Sequence, residues 1–158
     1  MKITKAELHT FKILPNLIES YIAEIPAAAI TRKRNQNAWT IQEHLFHIVD
    51  VQAMLLGRMQ TIISEKHPVI EPYFPQNDVK KGLKYQTMAE AFAEYHAYRK
   101  RQLKLLKNAS TGDLQKVADH KEYSEYSLPI ILKHMVFHEF WHMYRIEEIW
   151  LTRDEYFV

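Results

Sequence analysis

The chain has 158 residues, 47% of them hydrophobic, which suffices to bury one substantial core; a single domain over 1–158 is expected. Its 21 basic and 19 acidic residues leave a formal charge of +2, too weak a field to favour nucleic acid or an anionic membrane. Cysteine is absent, which excludes disulfides, cysteine nucleophiles and thiolate ligands, so any metal site must use nitrogen and oxygen.

Three glycines and six prolines are too few for a turn-dense β protein, and the residue mix favours helices, so the class expected is all-α. The first helix should open near Thr4, because Thr4 and Glu7 match a capping box and Phe11, Leu14, Ile18, Tyr21 and Ile25 follow at helical spacing. Pro15 is expected to kink or split it. The polar stretch from Thr31 to Asn37 contains a short basic cluster, Arg32-Lys33-Arg34, which reads as a solvated loop. A second helix then opens at Thr40, with Glu43 completing another capping box, and carries Ile41, Leu45, Ile48, Leu55, Met59 and Ile62.

Pro68, Pro72, Pro75 and Gly82 crowd together next, so His67 to Tyr85 reads as a long connection with Tyr73 and Phe74 packed along it. A third helix is predicted from Thr87 to Asn108, with Met88, Phe92, Tyr95, Leu103 and Leu106 on its buried face, and Ser110-Thr111-Gly112-Asp113 stops it. After an irregular piece to Tyr126, Ser127 is a natural cap for the last helix, whose first turn tolerates Pro129 and which should reach Trp150. The expected architecture is a four-helix bundle with one long crossover between helices 2 and 3. No continuous apolar run approaches a membrane span and the N-terminus lacks a signal-like apolar segment, so a soluble cytoplasmic protein is expected.

Five of the nine histidines fall into two helical windows: His44 and His47 on the second helix, and His134, His138 and His142 on the last. Positions four apart on a helix share a face and rise about 6 Å, so two imidazoles can converge on one ion, whereas positions eight apart are about 12 Å separated. One ion therefore cannot take His134 and His142 together, and His138 belongs to either remaining pair. The apolar stripe Ile131, Met135, His138, His142, Ile146 and Ile149 turns His138 and His142 inward. A third ligand should come from His47 or His44, and Asp50 is placed to bind directly or to orient His47. Core histidines held by hydrogen bonds are the plain alternative for any one of these rings.

Trp39-Thr40-Ile41-Gln42-Glu43 followed by His47, and later His134-x-x-x-His138-Glu139-x-x-His142, resembles the DinB/YfiT superfamily of metal-binding bundles over nearly the whole chain. The resemblance implies a divalent metal on His47, His138 and His142 with coordination positions left open. It also implies a homodimer and, as in some members, a thiol S-transferase of the bacillithiol type working on a low-molecular-weight thiol; an open position on three imidazoles would equally serve a hydrolase of a small molecule. Zinc or nickel leads as the metal, with manganese or iron as alternatives, because sulfur-free histidine sites accept several ions. The sequence departs from the common pattern at Arg145, where many relatives carry Gln, and at His44, where they carry a small or aliphatic residue. Arg145 reads as a partner of Glu148 or as an anion binder, and His44 as a polar neighbour at the bundle rim.

For catalysis, Glu139, Tyr144 and Arg145 are the nearest candidates, while His44, Asp50 and His134 are alternative ligands or groups that orient one. The run His138-Glu139-Phe140-Trp141-His142 also matches a zinc-peptidase helix, but the extended signature would require Gly at Arg145 and His at Glu148. A non-catalytic bundle that binds a metal or small ligand is the remaining reading. The apolar C-terminus, with Trp150, Leu151, Tyr156 and Phe157, would cap the bundle or join two subunits.

Overall fold

A computed structural model of the protein describes residues 1–73 and 84–156. Four long helices, α1 (Lys5–Ala23), α3 (Ile41–Ser64), α4 (Met88–Asn108) and α6 (Leu128–Leu151), make an all-α bundle core, with short helices α2 (Ala27–Ile30) and α5 (Thr111–Gln115) in the connections. A 3-10 turn at Asp154–Tyr156 follows α6. Phe74, Pro75, Gly82 and Phe157, to which the sequence reading gave roles, lie outside the described residues.

Local chemistry explains where each helix begins and ends. Thr4 with Glu7, Thr40 with Glu43, and Thr87 with Glu90 form complete capping boxes, each side chain satisfying the other residue's backbone N–H. Ser127 occupies the N-cap of α6 without a side-chain capping bond, and Pro129 sits in the first turn. Two helix ends are closed by distant cations. Lys116 Nζ donates to the carbonyls of Ile63 and Glu65 at the end of α3. Arg34 donates to the carbonyls of Ile149 and Thr152 at the end of α6 and pairs with Asp154 at 2.6 Å. Arg34 is therefore a buried cap, in contrast to the solvated loop expected of its cluster.

Pro15 neither ends nor divides α1, which is continuous from Lys5 to Ala23. A proline inside a helix leaves the carbonyl four residues earlier without its N–H partner. Here that carbonyl belongs to Phe11, and the guanidinium of Arg99 on α4 donates to it across the bundle. The core around it is apolar, with Phe11, Leu14, Ile18, Leu45, Ile48, Met59, Ile131 and Met135 fully buried. On α4, however, the fully enclosed positions are Ala91, Phe92, Tyr95, Arg99 and Gln102, while Met88, Leu103 and Leu106 are only half-buried. Polar residues took places that an apolar rhythm assigned elsewhere.

The two connections that flank the long helices meet in a small parallel pairing of β1 (Val69–Ile70) with β2 (Asp119–His120), an element absent from the all-α expectation. Ala118 also bridges to Tyr126. Together these contacts tie the segment after α3 to the segment before α6 and bring Tyr73, His120, Tyr123 and Tyr126 against one end of the α3/α6 groove.

Candidate metal centre

One ring nitrogen from each of His47, His138 and His142 lies within 4.8 Å of the other two. Nε2 of His138 is 3.3 Å from Nε2 of His47 and 3.1 Å from Nε2 of His142. Nitrogens bound at about 2.1 Å to one tetrahedral ion stand roughly 3.4 Å apart, so these spacings fit a divalent metal with a coordination position left over. The fit follows from helix geometry: His138 and His142 are one turn apart on α6, and α3 packs alongside to supply His47.

Behind the cluster, His44 is 4% exposed, and its Nδ1 is 2.7 Å from Nδ1 of His142. It is thus a buried partner of His142's far nitrogen and not a residue of the bundle rim. Trp39, just before α3, stacks on His142 with ring centres 6.1 Å apart and meets His44 and His47 edge-on or tilted. Trp141 lies edge-on to His142 at 4.7 Å. Neither tryptophan was assigned a role from sequence, although both are adjacent to residues that were.

Burial lowers all three neighbouring imidazoles. His44 falls to about 4, with Arg145 and His47 adding to desolvation; His138 falls to about 3, with His47 and His134 contributing; His142 falls to about 2, with His138, His44 and His47 contributing. At neutral pH these rings are uncharged, as ligation requires.

The remaining candidates divide. His134 lies on an exposed flank, stacked on His138 at 6.0 Å, with Nδ1 3.3 Å from the Tyr123 hydroxyl. Asp50 points away from the cluster, 3.4 Å from Lys84 Nζ. Tyr144 is 63% exposed, and Arg145 pairs with Glu148, the structural alternative of its two readings. Glu139 is turned in the opposite direction to its neighbour His138: it is wholly buried, 2.5 Å from Arg99 and 3.2 Å from Gln52 Nε2. One residue of helix rotates the side chain by about 100°, which carries it from the histidine face into the bundle axis. Burial pushes its carboxyl upward while Arg99, Tyr95 and Gln52 pull it back. A peptidase-type base at Glu139 therefore has no place at the histidines.

The profile of the DinB superfamily matches residues 10–153. The chain belongs to that superfamily. The solved structure of YfiT from Bacillus subtilis, described as "a probable metal-dependent hydrolase with an unusual four-helix bundle topology", matches this DinB-superfamily chain with a TM-score of 0.80 at 18% identity. The match covers 94% of this chain and 88% of YfiT. A protein of Oceanobacillus iheyensis named "Putative metal-dependent hydrolase" is 23% identical over 73% of this chain and 67% of its own. One of Bacillus cereus with the same name is 23% identical over 75% and 69%.

In this DinB-superfamily member a cleft of about 240 Å³ opens beside the cluster, with His47 and His138 at one end. Val51, Met54, Leu55, Arg58, Tyr123 and His134 also line it. Arg58 and the 120–126 segment carried no recognisable sequence signal, because the contact that brings them together is the β1/β2 pairing.

Proposed function

We propose that this protein is a metal-dependent hydrolase of a small molecule, using one divalent ion, zinc or nickel first, held by His47, His138 and His142. The observation that carries this reading is the convergence of three Nε2-bearing rings at ligand spacing, two of which, His47 and His138, line a cleft. A divalent ion held there would lower the pKa of water to roughly 7 and polarise a carbonyl or phosphoryl oxygen. The names borne by the Oceanobacillus and Bacillus relatives agree with hydrolysis.

The chain's own groups have separable tasks. If Nε2 of His142 faces the ion, its Nδ1 carries the proton and donates it to His44 Nδ1, which fixes the ring's orientation and makes it a better ligand. Trp39 and Trp141 shield that side from solvent. Tyr123 and His134, within hydrogen-bond reach of each other on the cleft wall, are the groups placed to exchange a proton with a bound substrate. The row Phe137, Phe140, Trp141 and Tyr144 on the outer face of α6, each between 41% and 70% exposed, supports a homodimer through that face. A monomer mass by light scattering at high concentration would remove that assembly.

The test is elemental analysis of untagged protein followed by assays of ester, amide and phosphoester hydrolysis with defined metals. We expect about one ion per chain and turnover lost in His138→Ala. Conjugation of an electrophile to bacillithiol or a similar thiol, with no hydrolysis, would replace this reading by thiol transfer.

A further inference from the structure

The cleft has a second polar end that the metal cluster does not use. Arg58 lies eleven residues beyond His47 on the same face of α3, about 16 Å along the helix axis, with Val51, Met54 and Leu55 between them. Its guanidinium is held by two neutral oxygens: Nη1 donates to the Tyr126 hydroxyl at 2.9 Å and Nη2 to the Glu71 carbonyl at 2.7 Å. Tyr126 is 1% exposed, so the fork is anchored against a fixed wall. The carboxylate of Glu71 is taken by Lys121 at 2.8 Å, and no carboxylate among the described residues lies within ion-pair distance of Arg58.

A guanidinium offers five N–H donors, of which two are engaged, leaving a planar fork suited to bidentate recognition of an oxyanion. The surrounding charge limits what that oxyanion can be. Glu122 also lines the cleft, and Arg58 is the one Lys or Arg side chain among the described residues that line it. One cation balances a single negative charge, which favours a carboxylate over a doubly charged phosphate. At about 240 Å³ the cleft is smaller than the roughly 300–1,000 Å³ of drug-sized sites, and its floor is apolar.

We propose that Arg58 is the anion-binding end of the cleft, and that the substrate is a small monocarboxylate with an apolar body whose hydrolysable ester or amide reaches the histidine cluster. This rests on the hydrolase reading above. It makes Arg58 a specificity residue, distant from the bond that breaks. Charge-assisted pairing of this kind is worth about 10- to 100-fold in affinity.

The test titrates metal-loaded protein by calorimetry with alkyl hydroxamates of stepped length that end either in a carboxylate or in the matching primary amide. At the length that spans the cleft, the carboxylate form should bind wild type at least tenfold more tightly, and Arg58→Gln should abolish that preference while the amide form binds as before. Arg58→Lys, which keeps the charge without the fork, should retain part of the preference and guards against a folding defect in Arg58→Gln. Equal binding of both forms to wild type, or an undiminished preference in both variants, overturns the anion site and leaves the metal centre standing. Failure of both hydroxamates to bind the loaded protein overturns the open metal position on which the hydrolase reading rests, and this proposal with it.

Discussion

The bundle contains two polar clusters only a residue apart on α6, and they are built on opposite terms. Glu139, Arg99, Gln102 and Gln52 form a closed ring of side chains: Arg99 bonds Glu139 and Gln102, Gln102 bonds Gln52, and Gln52 bonds Glu139. With the Phe11 carbonyl also bound to Arg99, this ring touches α1, α3, α4 and α6, and all four of its residues are buried. The histidine cluster draws on α3 and α6 alone, and His47 and His138 remain half-buried at a cleft. The ring's donors are turned onto one another and onto Oε1 of Glu139 inside the bundle, away from the cleft, whereas imidazoles whose nitrogens face one another at 3.1–3.3 Å are completed by an ion. Proximity in sequence thus separates a structural from a chemical role, by a rotation of one residue.

Breaking the sealed ring should produce the largest effect. Arg99→Leu would leave Glu139 buried without its cation, at a cost of about 3–5 kcal/mol in urea unfolding of the metal-free protein, most of it recovered when Glu139→Leu is added. Metal content per folded chain should stay unchanged, since none of these groups faces the histidines. Removing the ion tests the other cluster: at a free metal concentration of 100 times Kd, the loaded wild type should exceed metal-free protein by about 2.7 kcal/mol. His138→Ala should show no such increment.

A smaller effect is expected at His44. His44→Phe keeps a ring against Trp39 but removes the acceptor for His142, so metal affinity should fall about 10- to 100-fold by competition with a chelator, with near-full occupancy restored at high metal. Acid distinguishes the clusters last. His44, His138 and His142 have folded pKa values of about 4, 3 and 2, below the usual 6.5, so from pH 6.5 down to about 4 the unfolded chain binds more protons than the folded one. Stability of the metal-free protein should therefore fall as pH drops through that window, with a limiting slope of about 1.4 kcal/mol per pH unit for each ring. A triple variant with Phe at those positions should lose most of the slope, and Glu139→Gln should not.

Much of the architecture was legible because its signals are local. Thr4 and Thr40 announce helix starts three residues before an acid, and the spacing of His138 and His142 is a one-turn statement that any helix honours. Where Asp50 and Tyr144 lie could not be read, because spacing along one helix cannot tell which flank a neighbour covers; Lys84 stands 3.4 Å from Asp50, and Tyr144 is 63% exposed. Arg99 and Gln102 escaped because an apolar rhythm counts polar residues as outward, and their burial is tolerable only once Gln52 and Glu139 arrive from other helices.

By itself the sequence determined four amphipathic helices, their caps, the absence of sulfur ligands, and histidines at a spacing that one ion can share, all of which depend on neighbours within a turn. Only tertiary structure decided which way each ring faces, that His44 backs His142, that Glu139 closes a core ring, and that Arg58 stands at the far end of a cleft. Those outcomes follow from packing between segments remote in the chain, where a buried polar group is stable only if a partner from another helix meets it.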